Sequence, residues 1–213
     1  MNAVAPTLAV AAGTVGVLHT LAPDHWLPIA AVARARGWDQ RHTARVALAC
    51  GFGHVTVSVA LGVIALVTGT AIVESLGARS ASVAGVLLVG FGVGYGLWGM
   101  RHWIHDKLHG HHHAHAAPAV STRTAWVLFA IYCADPCIAV IPIIFAAAPL
   151  SVPETAAIVV LYEVATIATM VGLTVAARAG STLVRGAWVD RYGDSAAGAL
   201  IAITGIGVAL VGI

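Results

Sequence analysis

The apolar stretch AVAPTLAVAAGTVGVLHTLA at residues 3–22 runs directly into the tripeptide PDH at residues 23–25. No charged residue precedes Asp24, and about 20 apolar residues are enough for a helix to cross the hydrocarbon core of a bilayer. The stretch lacks the basic segment of a secretory signal peptide, so we expect a retained transmembrane helix. Pro23 removes a backbone donor, and the helix is therefore predicted to break or kink there.

The rest of the chain has the same apolar character. Of its 213 residues, 59% are hydrophobic and 9% charged, whereas a soluble domain is closer to half apolar and a quarter charged. This composition excludes an ordinary soluble enzyme and a disordered chain. A net charge of +2 provides no basic patch for nucleic acid. We therefore predict an all-α integral membrane protein whose partner is the lipid bilayer, with no nucleic acid bound.

Five more stretches are long and apolar enough to cross a membrane. They lie between Arg45 and Glu74, between Arg79 and Arg101, from Thr124 to Ala148, from Pro153 to Ala177 and from Ser195 to Ile213. Lys and Arg prefer cytoplasmic loops, and all of the 11 basic residues except Arg79 follow the first, third or fifth stretch. The sequence thus predicts six spans in the cell membrane (inner or plasma), with both termini outside and three basic loops in the cytoplasm.

The two halves of the chain resemble each other at an offset of 112 residues, at which His25 matches Cys137. The segment ARSASVAGVLLVGFG at 78–92 is similar to DRYGDSAAGALIAITGIG at 190–207. Two helices that are merely rich in Ala, Gly and Val would also look alike. Three helices per repeat would invert the second copy, and inverted repeats are typical of transporters whose substrate site lies on broken helices near the midplane.

A break at the same position in each half favours the interpretation that the two halves are repeats. The first helix of each half carries an Asp beside a Pro, at residues 23–24 and 135–136. We predict two inverted three-helix repeats, each with a broken first helix, in a single membrane domain. The domain covers 1–213, with the first repeat at 1–100, a histidine-rich cytoplasmic loop at 101–123 and the second repeat at 124–213.

The segment HTLAPDHWLP at 19–28 places two imidazoles and a carboxylate around prolines. On an unbroken helix, six residues turn roughly 240°, so His19 and His25 would face different directions. A broken segment could bring both imidazoles and the Asp24 carboxylate to one point. Such a set suits Ni²⁺, Co²⁺, Zn²⁺ or Fe²⁺ better than Mg²⁺ or Ca²⁺, which prefer oxygen ligands. The alternative is an interfacial histidine beside an aspartate that caps a helix end.

His54 lies inside the second apolar stretch, in CGFGHVTVS at 50–58, and matches Thr166 at the offset of 112. Ionisable residues inside a membrane span usually face a polar interior and mark a pathway. We therefore expect His54 to face a polar interior and to mark a pathway. The alternative is a neutral histidine bonded to a backbone carbonyl.

Cys133, Asp135 and Cys137 are predicted as a second group of metal ligands. Their sequence is CADPC, and on a continuous helix the spacing i, i+4 would place both thiols on one face. Thiolates bind softer ions. The two cysteines could instead be packing residues, or form a redox pair if the helix bends. Glu163, in the fifth stretch, could take part in proton coupling or bond an adjacent helix.

The loop after the third stretch is rich in histidine, a composition typical of metal binding. The histidines are His102, His105, His109, His111, His112, His113 and His115. Protons compete with metal for imidazoles near pH 6.5, so we expect a reservoir of low selectivity rather than a shaped site. The alternative is a solvated linker without a function.

Four segments resemble the nickel/cobalt transporter family (the NicO and NiCoT type) of the LysE-like superfamily. HTLAPDH at 19–25 fits the H-x4-D-H motif of that family, and GFGHVTVSVALG at 51–62 resembles its second histidine helix. ADPCIAVIPII at 134–144 is similar to the segment that opens the second half, and DRYGDSAAGALIAITGIG to the last helix. Six spans with a histidine-rich loop resemble the efflux members more than the eight-span uptake permeases.

The resemblance implies transport of a divalent transition-metal ion, with Ni²⁺ or Co²⁺ as substrate, no permanent cofactor and no enzymatic activity. It carries the metal-binding role to His19, Asp24, His25 and His54. The two cysteines depart from the family pattern, which leaves Zn²⁺ and Cd²⁺ open. No P-loop sequence G-x-x-x-x-G-K-[ST] occurs, so the driving force is expected from a gradient or a partner.

Two other functions fit parts of the sequence. A membrane thiol–disulfide electron carrier shares the three-plus-three inverted plan, but it needs a cysteine in the first helix of each half, and His25 stands where the first would be. A metal-binding accessory membrane protein would need no translocation pathway. Metal flux in proteoliposomes distinguishes it from a transporter.

Overall fold

The computed structural model describes residues 4–69, 82–83, 85–101, 122–181 and 187–211. Over these residues the chain is helical and contains no strand. The helices are α1 (Val4–Thr20), α2 (Leu27–Ala35), α3 (Gln40–Thr68), α4 (85–101), α5 (Thr122–Ala134), α6 (Val140–Ala147), α7 (Val152–Ser181) and α8 (Ala187–Val211). A short 3₁₀ turn, Pro23–His25, joins α1 to α2.

Three of these helices are long and apolar enough to span a membrane: α3, α7 and the part Tyr192–Leu210 of α8. Helix α1 is apolar but shorter, at 17 residues. The stretch from Thr124 to Ala148 is divided into α5 and α6 at the break predicted at 135–136, because the chain leaves helical geometry at 135–139. The predicted histidines from His102 to His115 lie outside the described residues.

The outside of the helices is apolar and the inside is partly polar. Phe52, Trp126 and Val152 expose more than half of their surface, whereas His54 and Thr166 are buried. A soluble protein rarely exposes large contiguous apolar surface, and polar groups inside a membrane protein face the interior of the bundle. The distribution and the three long apolar helices indicate a membrane-associated protein.

The break predicted at Pro23 is present. Helix α1 ends at Thr20, whose hydroxyl donates to the carbonyl of Gly16 at 2.6 Å. Pro28 does not add a second break, because it lies in the first turn of α2, where a missing N–H leaves no intrahelical bond unmade. A comparable interruption separates α5 from α6. The chain thus leaves α-helical geometry at both of the Asp–Pro positions.

The helices that carry the breaks cross the two long helices in the middle of the bundle. Helix α1 packs on α7, and α3 packs on both α5 and α7. At Gly16 a Cβ atom would come within 2.9 Å of the Tyr162 carbonyl, and at Gly53 within 2.6 Å of Cys133 Sγ. These close contacts require glycine. They allow α1 to approach α7, and α3 to approach α5, beside the two breaks.

A polar tether fastens the carboxyl end of α2 to α4 and α8. Arg36 Nε donates to the Tyr95 hydroxyl at 2.9 Å, and this hydroxyl donates to Asp194 Oδ1 at 2.6 Å. The guanidinium also lies 4.4 Å from the centre of a Trp98 ring. The tether lies at the end of α2 that is farther from the Pro23–His25 turn.

Candidate metal site

Three imidazoles from two parts of the chain converge at the first break. His19 lies in the last turn of α1, His25 in the 3₁₀ turn and His54 in the middle of α3. The ring centroids of His19 and His25 are 4.2 Å apart, those of His25 and His54 5.2 Å, and those of His19 and His54 6.2 Å. The break therefore brings together the rings of two histidines that lie six residues apart in the chain.

Asp24 contacts His25 within this imidazole cluster, which we define as His19, His25 and His54. Asp24 Oδ1 lies 3.0 Å from His25 Nδ1, and both residues are buried, with 5% and 3% of their surface exposed. An ionised carboxylate only accepts, so Nδ1–H is the donor and Nε2 keeps its lone pair. Carboxylates commonly orient metal-binding histidines in this way. Asp24 therefore fits the role of orienting His25 better than that of a direct ligand.

The cluster leaves several buried polar atoms without a hydrogen-bond partner. They are His19 Nε2, His25 Nε2, both ring nitrogens of His54 and the nearby Thr166 Oγ1. Burying such a group unpaired costs about 1–3 kcal/mol, and native proteins rarely tolerate it. Neutral imidazole nitrogens are also the preferred donors for divalent transition metals. The cluster has the donor set and the unshared lone pairs that such an ion requires.

A thiol from the second break reaches the same place. The ligand atoms of His19, His54 and Cys137 all lie within 4.8 Å of one another. In a tetrahedral site with ligands at about 2.0–2.3 Å, neighbouring ligand atoms are about 3.3–3.7 Å apart. Closing these side chains around an ion therefore requires shifts of about 1 Å. Rotation of a side chain within its rotamer well supplies shifts of this size.

The expectation that Cys133 and Cys137 share one helix face is wrong. Helix α5 ends at Ala134, so the i, i+4 relation does not hold beyond it. Cys133 is half-buried against Gly53, whereas Cys137 Sγ lies 2.7 Å from the Tyr162 hydroxyl. Among the described residues, the group that could hold an ion contains Cys137 and not Cys133.

His25 and the predicted ligand Asp135 lie outside that group of three, and so does Glu163, whose role the sequence left open. Asp135 is half-buried in the second break, and Glu163 is half-buried on α7. The predicted ligands thus form three sets. The first is the imidazole cluster with Cys137, and the second is Asp24, which orients His25. The third is Cys133 and Asp135, which share no ion-binding group with the others.

The sequence reasoning missed two hydroxyl groups that hold the breaks in place. The Tyr132 hydroxyl lies 2.9 Å from the backbone carbonyls of both Asp24 and His25, to which it donates. Ser58 Oγ accepts from Cys137 N at 2.6 Å and donates to the carbonyl of His54 at 2.7 Å. A tyrosine inside an apolar span and a serine one turn after His54 were the available signals.

Fold and cluster together define a helical, membrane-associated protein with a buried three-imidazole centre. Comparison of the chain with protein-family models, with curated proteins and with solved structures finds no match.

Proposed function

We propose that the protein is a transmembrane transporter of divalent transition-metal ions, with Ni²⁺ and Co²⁺ as the first candidates and Zn²⁺ and Cd²⁺ as the softer ones. The observation that carries the proposal is the imidazole cluster, in which buried nitrogens of three histidines face one another without partners. The ion is the substrate, so no resident cofactor and no bond-breaking chemistry are needed.

The physical argument is that a hydrated ion must exchange water for protein ligands when it leaves the aqueous phase. Neutral imidazoles bind borderline transition metals and do not replace the oxygen ligands of Mg²⁺ or Ca²⁺. The carboxylate of Asp24 supplies a negative charge next to the cluster, which offsets part of the charge of the ion. These features favour entry of a dication into an otherwise apolar bundle.

An inverted-repeat architecture of six spans is part of the proposal. The offset of 112 carries Leu27–Ala35 onto 139–147 and Gln40–Thr68 onto 152–180, which agree within one residue with α6 and α7. The contact of α1 with α7 has its counterpart in the contact of α5 with α3. In such transporters the substrate binds at the interface of the repeats, which is where His54 and Cys137 meet.

The resemblance to the nickel/cobalt transporter family supports the same function. Its H-x4-D-H motif falls on His19, Asp24 and His25, and these residues flank the first break. Efflux is the proposed direction, since a histidine-rich loop on the cytoplasmic side would collect ions there. In this arrangement both termini face outward in the cell membrane.

The test is metal flux into proteoliposomes that contain the purified chain, with Ni²⁺, Co²⁺, Zn²⁺ and Cd²⁺ supplied in turn. His19→Ala and His54→Ala should each abolish flux while the protein still inserts. His42→Ala, on the same helix as His54 but against Trp38, is the matched control and should transport normally. Metal binding without flux would show an accessory protein, and normal flux through His19→Ala and His54→Ala would refute the proposed site.

A further inference from the structure

The second break places the thiol of Cys137 next to the imidazole cluster. Cys137 is 4% exposed, and its sulfur lies within 4.8 Å of one ring nitrogen of His19 and one of His54, two residues that carry unpartnered nitrogens. His54 is 1% exposed, so neither of its nitrogens can be satisfied by bulk water. Cys137 is therefore not an isolated cysteine, because it lies against buried donors that themselves need a ligand.

The position of Cys137 is set by hydroxyl groups on both long helices. Tyr162 of α7 lies 2.7 Å from the sulfur, and Ser58 of α3 accepts from the Cys137 backbone N–H at 2.6 Å. The same Ser58 hydroxyl donates to the His54 carbonyl. One side chain thus links the backbone at both ligands, which restricts the distance between Cys137 Sγ and the His54 ring.

The two breaks are braced crosswise. Tyr132, in the second half, holds the carbonyls of Asp24 and His25 in the first half. Ser58, in the first half, holds Cys137 in the second. Preorganisation of this kind holds metal ligands close to their binding positions before the ion arrives.

We propose that Cys137 is the thiolate ligand that joins His19 and His54, and that His25, whose unpartnered Nε2 lies on a ring next to both, moves in as the fourth ligand. The substrates are then divalent ions that accept three imidazoles and one thiolate in a tetrahedral arrangement. This inference rests on the proposed function and narrows its substrate class to Zn²⁺, Cd²⁺ and tetrahedral Co²⁺, ahead of Ni²⁺. Thiolate ligands favour softer ions, and tetrahedral sites of nitrogen and sulfur are typical of zinc. Binding replaces the thiol proton by the metal, and the proton is released to the solution.

Tyr162 is a positioning residue in this arrangement. A metal-bound sulfur has no proton, so in the hydrogen bond of 2.7 Å the tyrosine hydroxyl donates and Sγ accepts. Hydrogen bonds to a coordinating atom tune the electron density that it offers to the metal. The Tyr162 backbone is itself fixed by the close approach of Gly16 on α1, the helix that carries His19.

The test uses the full chain in detergent and Co²⁺ as a spectroscopic probe. A thiolate bound to Co²⁺ gives a charge-transfer absorption in the near ultraviolet, which imidazole and carboxylate ligands do not give. The wild type and the control Cys133→Ser should show this band. Cys137→Ser should lose the band, bind Co²⁺ at least about tenfold more weakly and favour Ni²⁺ over Zn²⁺ in competitive flux. An unchanged band in Cys137→Ser would overturn the inference.

A second variant covers the case in which Cys137→Ser does not fold. Tyr162→Phe removes only the hydroxyl that donates to the sulfur, so the charge-transfer band should move to lower energy while Co²⁺ remains bound. A band at its original energy would contradict the assignment of Cys137. If the wild type transports Co²⁺ but shows no charge-transfer band, the assignment of Cys137 as a thiolate ligand is overturned, whereas the proposed transport function is not. A wild type that neither binds nor transports any of the ions would refute both.

Discussion

The glycine seam between α4 and α8 and the imidazole cluster between α1 and α3 are both interior contacts, but they are built in opposite ways. At Gly85 a Cβ atom would come within 2.7 Å of the Ala209 backbone nitrogen, and at Gly205 within 2.7 Å of the Gly85 carbonyl. The seam therefore joins backbones directly. The cluster joins side chains, and its ring nitrogens are left without partners.

The difference separates what stabilises the protein from what the protein is used for. Close backbone contact is a main source of helix association in membranes, where no hydrophobic effect drives helices together. Unpaired buried nitrogens do the reverse, because each one costs about 1–3 kcal/mol in the absence of a ligand. Under the proposed function, the cluster serves binding and not stability, which predicts opposite responses to mutation in the two regions.

The largest effect is expected in the seam. Gly205→Leu places a side chain where the α4 backbone lies, so α8 must move away and the fold should lose about 3 kcal/mol. The measurement is thermal unfolding in detergent, together with size-exclusion profiles. Gly207→Leu is the matched control two residues further on, since nothing lies within 4 Å of its Cβ position. Equal stability of the two variants would show that the seam is not a determinant of the fold.

In the cluster we expect loss of function without loss of stability. His54→Leu removes two buried unpartnered nitrogens and keeps most of the volume, so the metal-free protein should unfold at the same temperature or higher. At a metal concentration 100 times the Kd, the wild type should gain about 2.7 kcal/mol from binding, and the variant none. Thermal unfolding with and without Zn²⁺ measures both. A metal-free variant that is much less stable than the wild type would contradict the contrast between the two regions.

An intermediate effect is expected at the brace between the halves. Tyr132→Phe removes the hydroxyl that donates to the Asp24 and His25 carbonyls, so the first break should lose its position and metal affinity should fall about tenfold. Tyr95→Phe makes the same chemical change in the tether to Asp194 and should leave metal affinity unaltered. Isothermal titration of each variant with Zn²⁺ compares the two. If both variants lose the same metal affinity, the loss reflects a general destabilisation of the helix packing and not the hydrogen bonds of Tyr132.

The smallest effect is expected in the histidine-rich loop, which we propose to be a reservoir of low selectivity, in contrast to the buried cluster. Deleting residues 109–115 should raise the metal concentration for half-maximal flux a few-fold and leave the maximum nearly unchanged. Flux assays over a range of concentrations, with an alanine-and-serine replacement of the same length as control, measure this. Complete loss of transport at saturating metal would instead place the loop in the pathway itself.

Much of the framework could be predicted from residues near one another in the chain. Apolar runs predicted helices, and Pro23 and Pro136 predicted where they stop, because hydropathy and the missing proline donor act locally. The fourth stretch shows the limit of such reasoning. The break at 135–136 was predicted, but where it places each cysteine was not: the interruption at 135–139 moves Cys137 away from Cys133.

The sequence by itself determined the helical, apolar character of the protein, the positions of both breaks and the presence of imidazole, carboxylate and thiol side chains beside them. Only the tertiary structure decided which of these side chains meet. The 6.2 Å between the His19 and His54 rings, and the approach of Cys137 to both, depend on how α1, α3 and α7 cross. Those crossings are set by contacts between residues far apart in the chain, such as Gly16 with Tyr162, and no local periodicity specifies them.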